Sequence, residues 1–160
     1  LYDLSTKFTS RNVSCDGECK VTAEGKDYFV EYAKIENRSG SLYLILSDQT
    51  ISTTKIQITS NLSGLVTVTN YARESYAKIP RNTFRGSLIF EKQVMKSLAT
   101  SQFIEQYVVI NNLPFTDYLK GIAETTDSES AEKIKVMALL AKTYALFYMN
   151  GKNPHPSIPK

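Results

Sequence analysis

The 160-residue chain predicts an α+β protein: an antiparallel β-rich N-terminal part, as a sheet or small barrel, packed with a long buried C-terminal helix. Three observations predict it. Between residues 20 and 70, short runs rich in Val, Ile, Tyr and Thr recur about every ten residues, separated by turn residues. From Ala131 to Met149 no Gly or Pro interrupts a run of good helix formers. That run is apolar nearly all round, which is the pattern of a buried helix.

In chain order, strands are expected at 20–23, 27–35, 42–46, 55–59 and 65–70. Glu24-Gly25, 37–40, Ser47-Asp48 and 61–64 supply the turns between them. Alternation is clearest in Ile56-Gln57-Ile58 and Leu65-Val66-Thr67-Val68, where every second residue faces one side. Residues 80–83 read as a linker. Two further strands, 85–91 and 103–111, follow it. Asn112-Leu113-Pro114 ends the second, and Pro114 opens a helical turn over Phe115–Lys120, where a proline's fixed backbone fits. The polar loop 125–130 leads into the long helix, and Thr126 with Glu129 has capping-box spacing. The organisation expected is a β-rich lobe over 1–80 and a core of two strands, a short helix, a loop and the long helix over 81–160.

Within the long helix, Ile134, Met137, Ala138, Ala141, Ala145 and Tyr148 fall on one face. Lys135 and Lys142 are seven residues apart, nearly two turns, so they point the same way. They either reach solvent along one strip or line a cleft. Glu124 ends an apolar turn just before the polar loop. Burial there would raise its pKa, and a nearby cation or helix N-terminus would lower it. Arg85 beside Gly86 reads as a strand-start ion pair or as a ligand-facing arginine. Tyr144 reads as a core residue or as a hydroxyl in a cleft. Asp127, Glu129 and Glu132 read as first-turn acids of the helix.

Composition narrows the classes. Net charge is +3, a mild attraction to an acidic polymer at most. No basic run interleaved with aromatics points to nucleic acid. A single histidine, His155, disfavours a closed four-ligand zinc site, and no cofactor motif is present. No signal peptide or membrane span stands out. Cys15 and Cys19, in SCDGEC, could close a small disulfide in a polar turn or remain free thiols.

Several motifs in fixed spacing then point to a family. Phe84-Arg85-Gly86-Ser87-Leu88 is followed by Asn112-Leu113-Pro114, by Asp117-Tyr118-Leu119-Lys120-Gly121, by Glu124, Glu132, Lys135 and Ala138, and by Lys142-Thr143-Tyr144-Ala145-Leu146. This stretch, from residue 84 to 149, resembles the stage II sporulation protein D family (SpoIID/LytB, amidase enhancers) of bacterial cell-wall proteins. In that family a Gly precedes a catalytic Glu, a Lys lies eleven residues beyond it, and an Arg-Thr-Tyr-Ala-Leu run begins eighteen beyond. Here those offsets reach Lys135 and Lys142. The resemblance implies lytic transglycosylase-type cleavage of peptidoglycan glycan strands beside an amidase. Glu124 would be the general acid/base, and Lys135, Lys142, Arg85 and Tyr144 would hold substrate. The alternatives are a non-catalytic module that binds peptidoglycan or stimulates the amidase, and a structural part whose downstream remainder carries the work. The resemblance also implies an extracellular or wall-associated location behind an upstream anchor or signal. Three departures stand out. Lys142 occupies the usual Arg position, the loop after Glu124 lacks the family's Pro and Trp, and the approach from Gly121 is two residues shorter than in the sporulation proteins. Family domains also continue past this helix, so the domain is expected to be incomplete at Lys160.

Overall fold

The structure is a computed structural model and describes residues 9–62, 64–70, 82–96, 102–120 and 128–149. Among the described residues, nine strands form one sheet: β1 (Ser10–Ala23), β2 (Lys26–Arg38), β3 (Ser41–Ile45), β4 (Thr50–Thr53), β5 (Lys55–Ser60), β6 (Leu65–Val68), β7 (Thr83–Arg85), β8 (Ser87–Lys96) and β9 (Phe103–Asn112). The order is β4-β3-β2-β1-β5-β8-β9, with β6 lying between β1 and β7. The α+β class holds, with the antiparallel sheet dominant. Where a first lobe ending at residue 80 was expected, β7, β8 and β9 carry the same sheet on to Asn112. By contact, Leu1–Gln93 with Glu105–Asn112 forms one compact unit, and Val94–Ile104 with Leu113–Lys160 forms a second.

Local turn chemistry sets the register. Glu24-Gly25 and Ser39-Gly40 are two-residue connections, and all four residues have positive φ (49° and 72°, 49° and 83°). That is the type I′ geometry whose twist matches paired strands. Alternation then sends Val21, Ile35, Leu44, Ile56, Leu88 and Phe90 to one side, where each is at most 1% exposed and all belong to one cluster. The described part of this unit contains no helix. The sheet coils, so that strands as far apart in it as β3 and β8 share this cluster. Tyr107 on β9 donates its hydroxyl hydrogen to the Gly40 carbonyl at 3.2 Å, joining the last strand to the β2–β3 turn.

The bend has an identifiable cause. β1 pairs with β2 on both sides of residues 15–18, but its other edge changes partner. Val13 to Cys15 pair with β6, and Cys19 to Ala23 pair with β5. Between Ser14 and Cys19 the register against β2 breaks, so that four residues stand opposite Glu31 alone. Gly17 (φ 83°) lies in this bulge, Gly64 (φ 67°) between β5 and β6, and Gly86 (φ 80°) between β7 and β8. The Gly86 amide donates to the Gly64 carbonyl at 2.9 Å. Three neighbouring strand lines thus turn together, each with a glycine in a backbone region that side chains disfavour.

Cys15 and Cys19 close a disulfide across this bulge, with Cα atoms 5.3 Å apart. They lie inside a strand, not in the polar turn expected from SCDGEC. Asn61 donates its amide to the Glu18 carbonyl at 3.1 Å, and Ser60 donates its hydroxyl to the Asp16 carbonyl at 3.3 Å, so the bulge is tied to the β5–β6 loop. Replacing both cysteines by serine is expected to cost about 2 kcal/mol, the chain-entropy value for so short a loop. Denaturant unfolding of the variant with and without reductant checks this. Wild type should lose the same amount on reduction, and the variant should lose nothing further.

Charge pairs line the outer face. Glu36 sits between Lys34 at 2.5 Å and Arg38 at 2.6 Å, and their hydrogen bonds hold its carboxyl below the ordinary range. Lys20 and then Thr22 lower Asp27 in the same way. At Glu91 partial burial pushes upward, and Lys55 and Gln93 outweigh it. All three carboxyls bind protons more weakly folded than unfolded. Their contribution to stability is therefore present above the unfolded carboxylate value of about 4 and is lost as pH falls through the lower folded values. The thermal midpoint should fall between pH 5 and pH 2, by a modest amount because these pairs lie at the surface, where solvent screens them. A midpoint that rises over that interval contradicts the assignment.

The second unit carries α1 (Phe115–Lys120) and α2 (Ala131–Met149), at the positions the sequence predicts. The expected burial of α2 is not found: no residue of it is buried. The six residues read as its inner face, Ile134, Met137, Ala138, Ala141, Ala145 and Tyr148, are the six that are half-covered. The other apolar side chains are open, with Leu139 at 62% and Leu140 at 58% exposed. The physical reason is a shortage of neighbours. A helix apolar on every side needs cover on every side, and in the described part of its unit the short α1 is the helix that touches it. Among the described residues, no helix is long and apolar enough to cross a membrane.

Candidate functional site

The family-like motifs fall at junctions between elements. Phe84-Arg85-Gly86-Ser87-Leu88 spans the end of β7, the glycine bend and the start of β8. Phe84 pairs with Val66 and packs against the core, while Leu88 is buried. The outward Arg85 is exposed and belongs to the first unit. Gly86 has a backbone role that accounts for it without any ligand.

Asn112-Leu113-Pro114 leads from β9 into α1. The Pro114 carbonyl accepts from the amides of Asp117 at 2.9 Å and Tyr118 at 3.0 Å, closing the first turn. Phe115 and Tyr118 stack with centroids 6.1 Å apart, and Lys120 pairs with Asp117 at 3.3 Å. Glu124, the expected general acid, lies outside the described residues, as do Gly121, Thr126, Asp127 and His155.

Ser130 caps α2. Its hydroxyl accepts from the Lys133 amide at 3.3 Å, and its carbonyl accepts from the Ile134 amide at 3.1 Å. Glu129 pairs with Lys133 at 2.7 Å, an acid near the positive end of the helix. Lys135 and Lys142 are both exposed and share one side of the helix. Tyr144 is two residues past Lys142 and so on the opposite side. It is 61% exposed rather than core, and its ring meets Tyr148 with centroids 4.4 Å apart. The hydrogen bond between the two phenols pushes the Tyr148 hydroxyl's pKa up. Of the expected substrate residues, then, the geometry groups Lys135 with Lys142 and separates Tyr144 from them. Among the described residues, no cluster of three or more His, Cys, Asp or Glu could hold a metal ion.

Sequence reasoning missed an open surface hollow of about 360 Å³ in the first unit, beside the β1–β2 turn. Thr22, Glu24, Thr53, Thr54, Lys55 and Gln57 supply its polar lining. The available signal was the alternation around Val21 and Ile56, which places Thr22, Lys55 and Gln57 on the outer face together.

No family model, curated protein or solved structure matches this chain.

Proposed function

We propose that this chain is a peptidoglycan-acting, SpoIID-like domain that cleaves glycan strands in the manner of a lytic transglycosylase, with Glu124 as general acid and base. The observation that carries the reading is the spacing of Glu124, Lys135 and Lys142 behind the two upstream motifs. The shared, exposed side of Lys135 and Lys142 supports it, because a substrate carrying carboxylates needs cations it can reach. In this mechanism Glu124 protonates the glycosidic oxygen. The resulting carboxylate then takes the proton from the sugar's own C6 hydroxyl as that oxygen closes onto C1. The leaving chain gains a hydroxyl and the retained sugar becomes an anhydro sugar, so no water is consumed. One carboxyl suffices because the internal hydroxyl replaces the water that a second carboxylate activates in an inverting glycosidase.

A binding role without cleavage is the second reading. The exposed Lys135 and Lys142 favour it, since retention on an acidic glycan needs reachable cations and no tuned carboxyl. Both readings place the chain at the cell wall, outside the cytoplasmic membrane, near an amidase that strips stem peptides. The test uses purified wall glycan freed of peptides. Soluble anhydro products released by the wild-type chain support cleavage. Retention on the glycan with no release supports the binding module, and neither retention nor release rejects both.

A further inference from the structure

The outer face of β2, β1 and β5 has an uncommon make-up. Lys20 faces Phe29 on one side and Thr59 on the other, while Thr22 faces Asp27 and Gln57. Their neighbours Cys19, Val21 and Ile58 are fully buried on the inner side, so these side chains are directed outward. Phe29 is 54% exposed within this polar surface. Thr22 stands diagonally from it, about 7–8 Å away by sheet geometry, and lines the open hollow beside the β1–β2 turn.

Both lysines on this face, Lys20 and Lys55, are paired with carboxylates. Lys20 meets Asp27 at 2.8 Å, Thr22 donates its hydroxyl to Asp27 at 2.7 Å, and Lys55 meets Glu91 at 3.0 Å. A nucleic acid would call for cations free to meet phosphate. The core of a protein interface is depleted in charged groups, yet here they form the middle of the surface. Fixed hydroxyls, an amide and neutralised pairs beside one exposed ring instead suit a molecule with an apolar C–H face and a rim of hydroxyls.

We propose that this face is a binding site for an oligosaccharide segment, held through its neutral ring faces and hydroxyls. Phe29 stacks on one sugar ring, and Thr22 and Gln57 hydrogen-bond the next where it lies over the open hollow. The proposal rests on the peptidoglycan reading for its substrate class and adds a glycan-holding surface in the first unit, separate from Glu124.

The experiment titrates the full chain with a tetramer of N-acetylglucosamine and follows backbone amide shifts by NMR, with wild type, Phe29→Ala and Gln57→Ala. Shifts centred on Lys20, Thr22, Asp27, Phe29 and Gln57, with affinity about tenfold weaker in Phe29→Ala, are the expected result, on the scale of one lost aromatic contact. Unchanged spectra at millimolar sugar, shifts confined to other residues, or equal affinity in folded Phe29→Ala each overturn it. Dispersed amide spectra of each variant establish that it is folded. Binding here by a chain that releases no anhydro sugar leaves this proposal standing and removes the cleavage reading. Anhydro release with no shift on this face does the reverse.

Discussion

Exchanging Glu124 for glutamine is expected to lower the release of anhydro sugar from peptide-free glycan by about 10²–10⁴-fold, the usual contribution of a positioned general acid/base. The amide keeps the size and much of the polarity of the carboxyl but can neither deliver a proton to the glycosidic oxygen nor take one from the C6 hydroxyl. Ground-state contacts from Lys135 and Lys142 are untouched, so retention on the glycan should stay within about twofold of wild type, well inside 1 kcal/mol. The pair of readouts matters. Loss of release with retention kept is the signature of removed transition-state chemistry. Equal release by the two proteins would show that Glu124 is not the acid, and joint loss of release and retention would mark it as a binding or folding residue.

The second large effect is on stability. Phe90→Ala should cost about 3–5 kcal/mol. Phe90 has no exposed surface, and it lies on β8 opposite Ile56 in the single cluster formed by the inner faces. Strands on both sides hold it: β8 lies between β5 and β9 in the sheet. Collapse into the vacated space would require the coiled sheet to change curvature, so most of the cavity should persist. Against a typical total of about 5–15 kcal/mol, such a loss leaves little reserve. Urea unfolding checks it through a lower midpoint with an unchanged slope. A loss under about 1 kcal/mol would mean that Phe90 is not central to the core.

The sequence made some of this legible and hid the rest for definite reasons. Strict alternation in Ile56-Gln57-Ile58 and in Leu65-Val66-Thr67-Val68 revealed strands, because each buries one face more than the other. The first half of β1 was hidden. SCDGEC has the composition of a turn, yet it is a bulge inside a strand, and its extra residues break the alternation that would have exposed it. β4 was missed because four residues at a sheet edge bury too little to leave a pattern. For α2 the boundaries and the covered face were readable from helical spacing. Its depth was not, because burial depends on neighbours that no local pattern encodes. At the site, spacing alone placed Lys135 with Lys142, whereas the role of Glu124 comes from the resemblance. Phe29 went unnoticed because Tyr28-Phe29-Val30 reads as one apolar run, and only the paired strands reveal which of the three turns outward.

Cleavage in heavy-oxygen water tests the central claim most directly. If Glu124 drives closure of the sugar's own hydroxyl onto C1, the new ends are anhydro sugars. They are lighter by one water than hydrolysed ends and carry no solvent oxygen. Reducing ends labelled with heavy oxygen would show that water attacks instead, and would contradict the transglycosylase account.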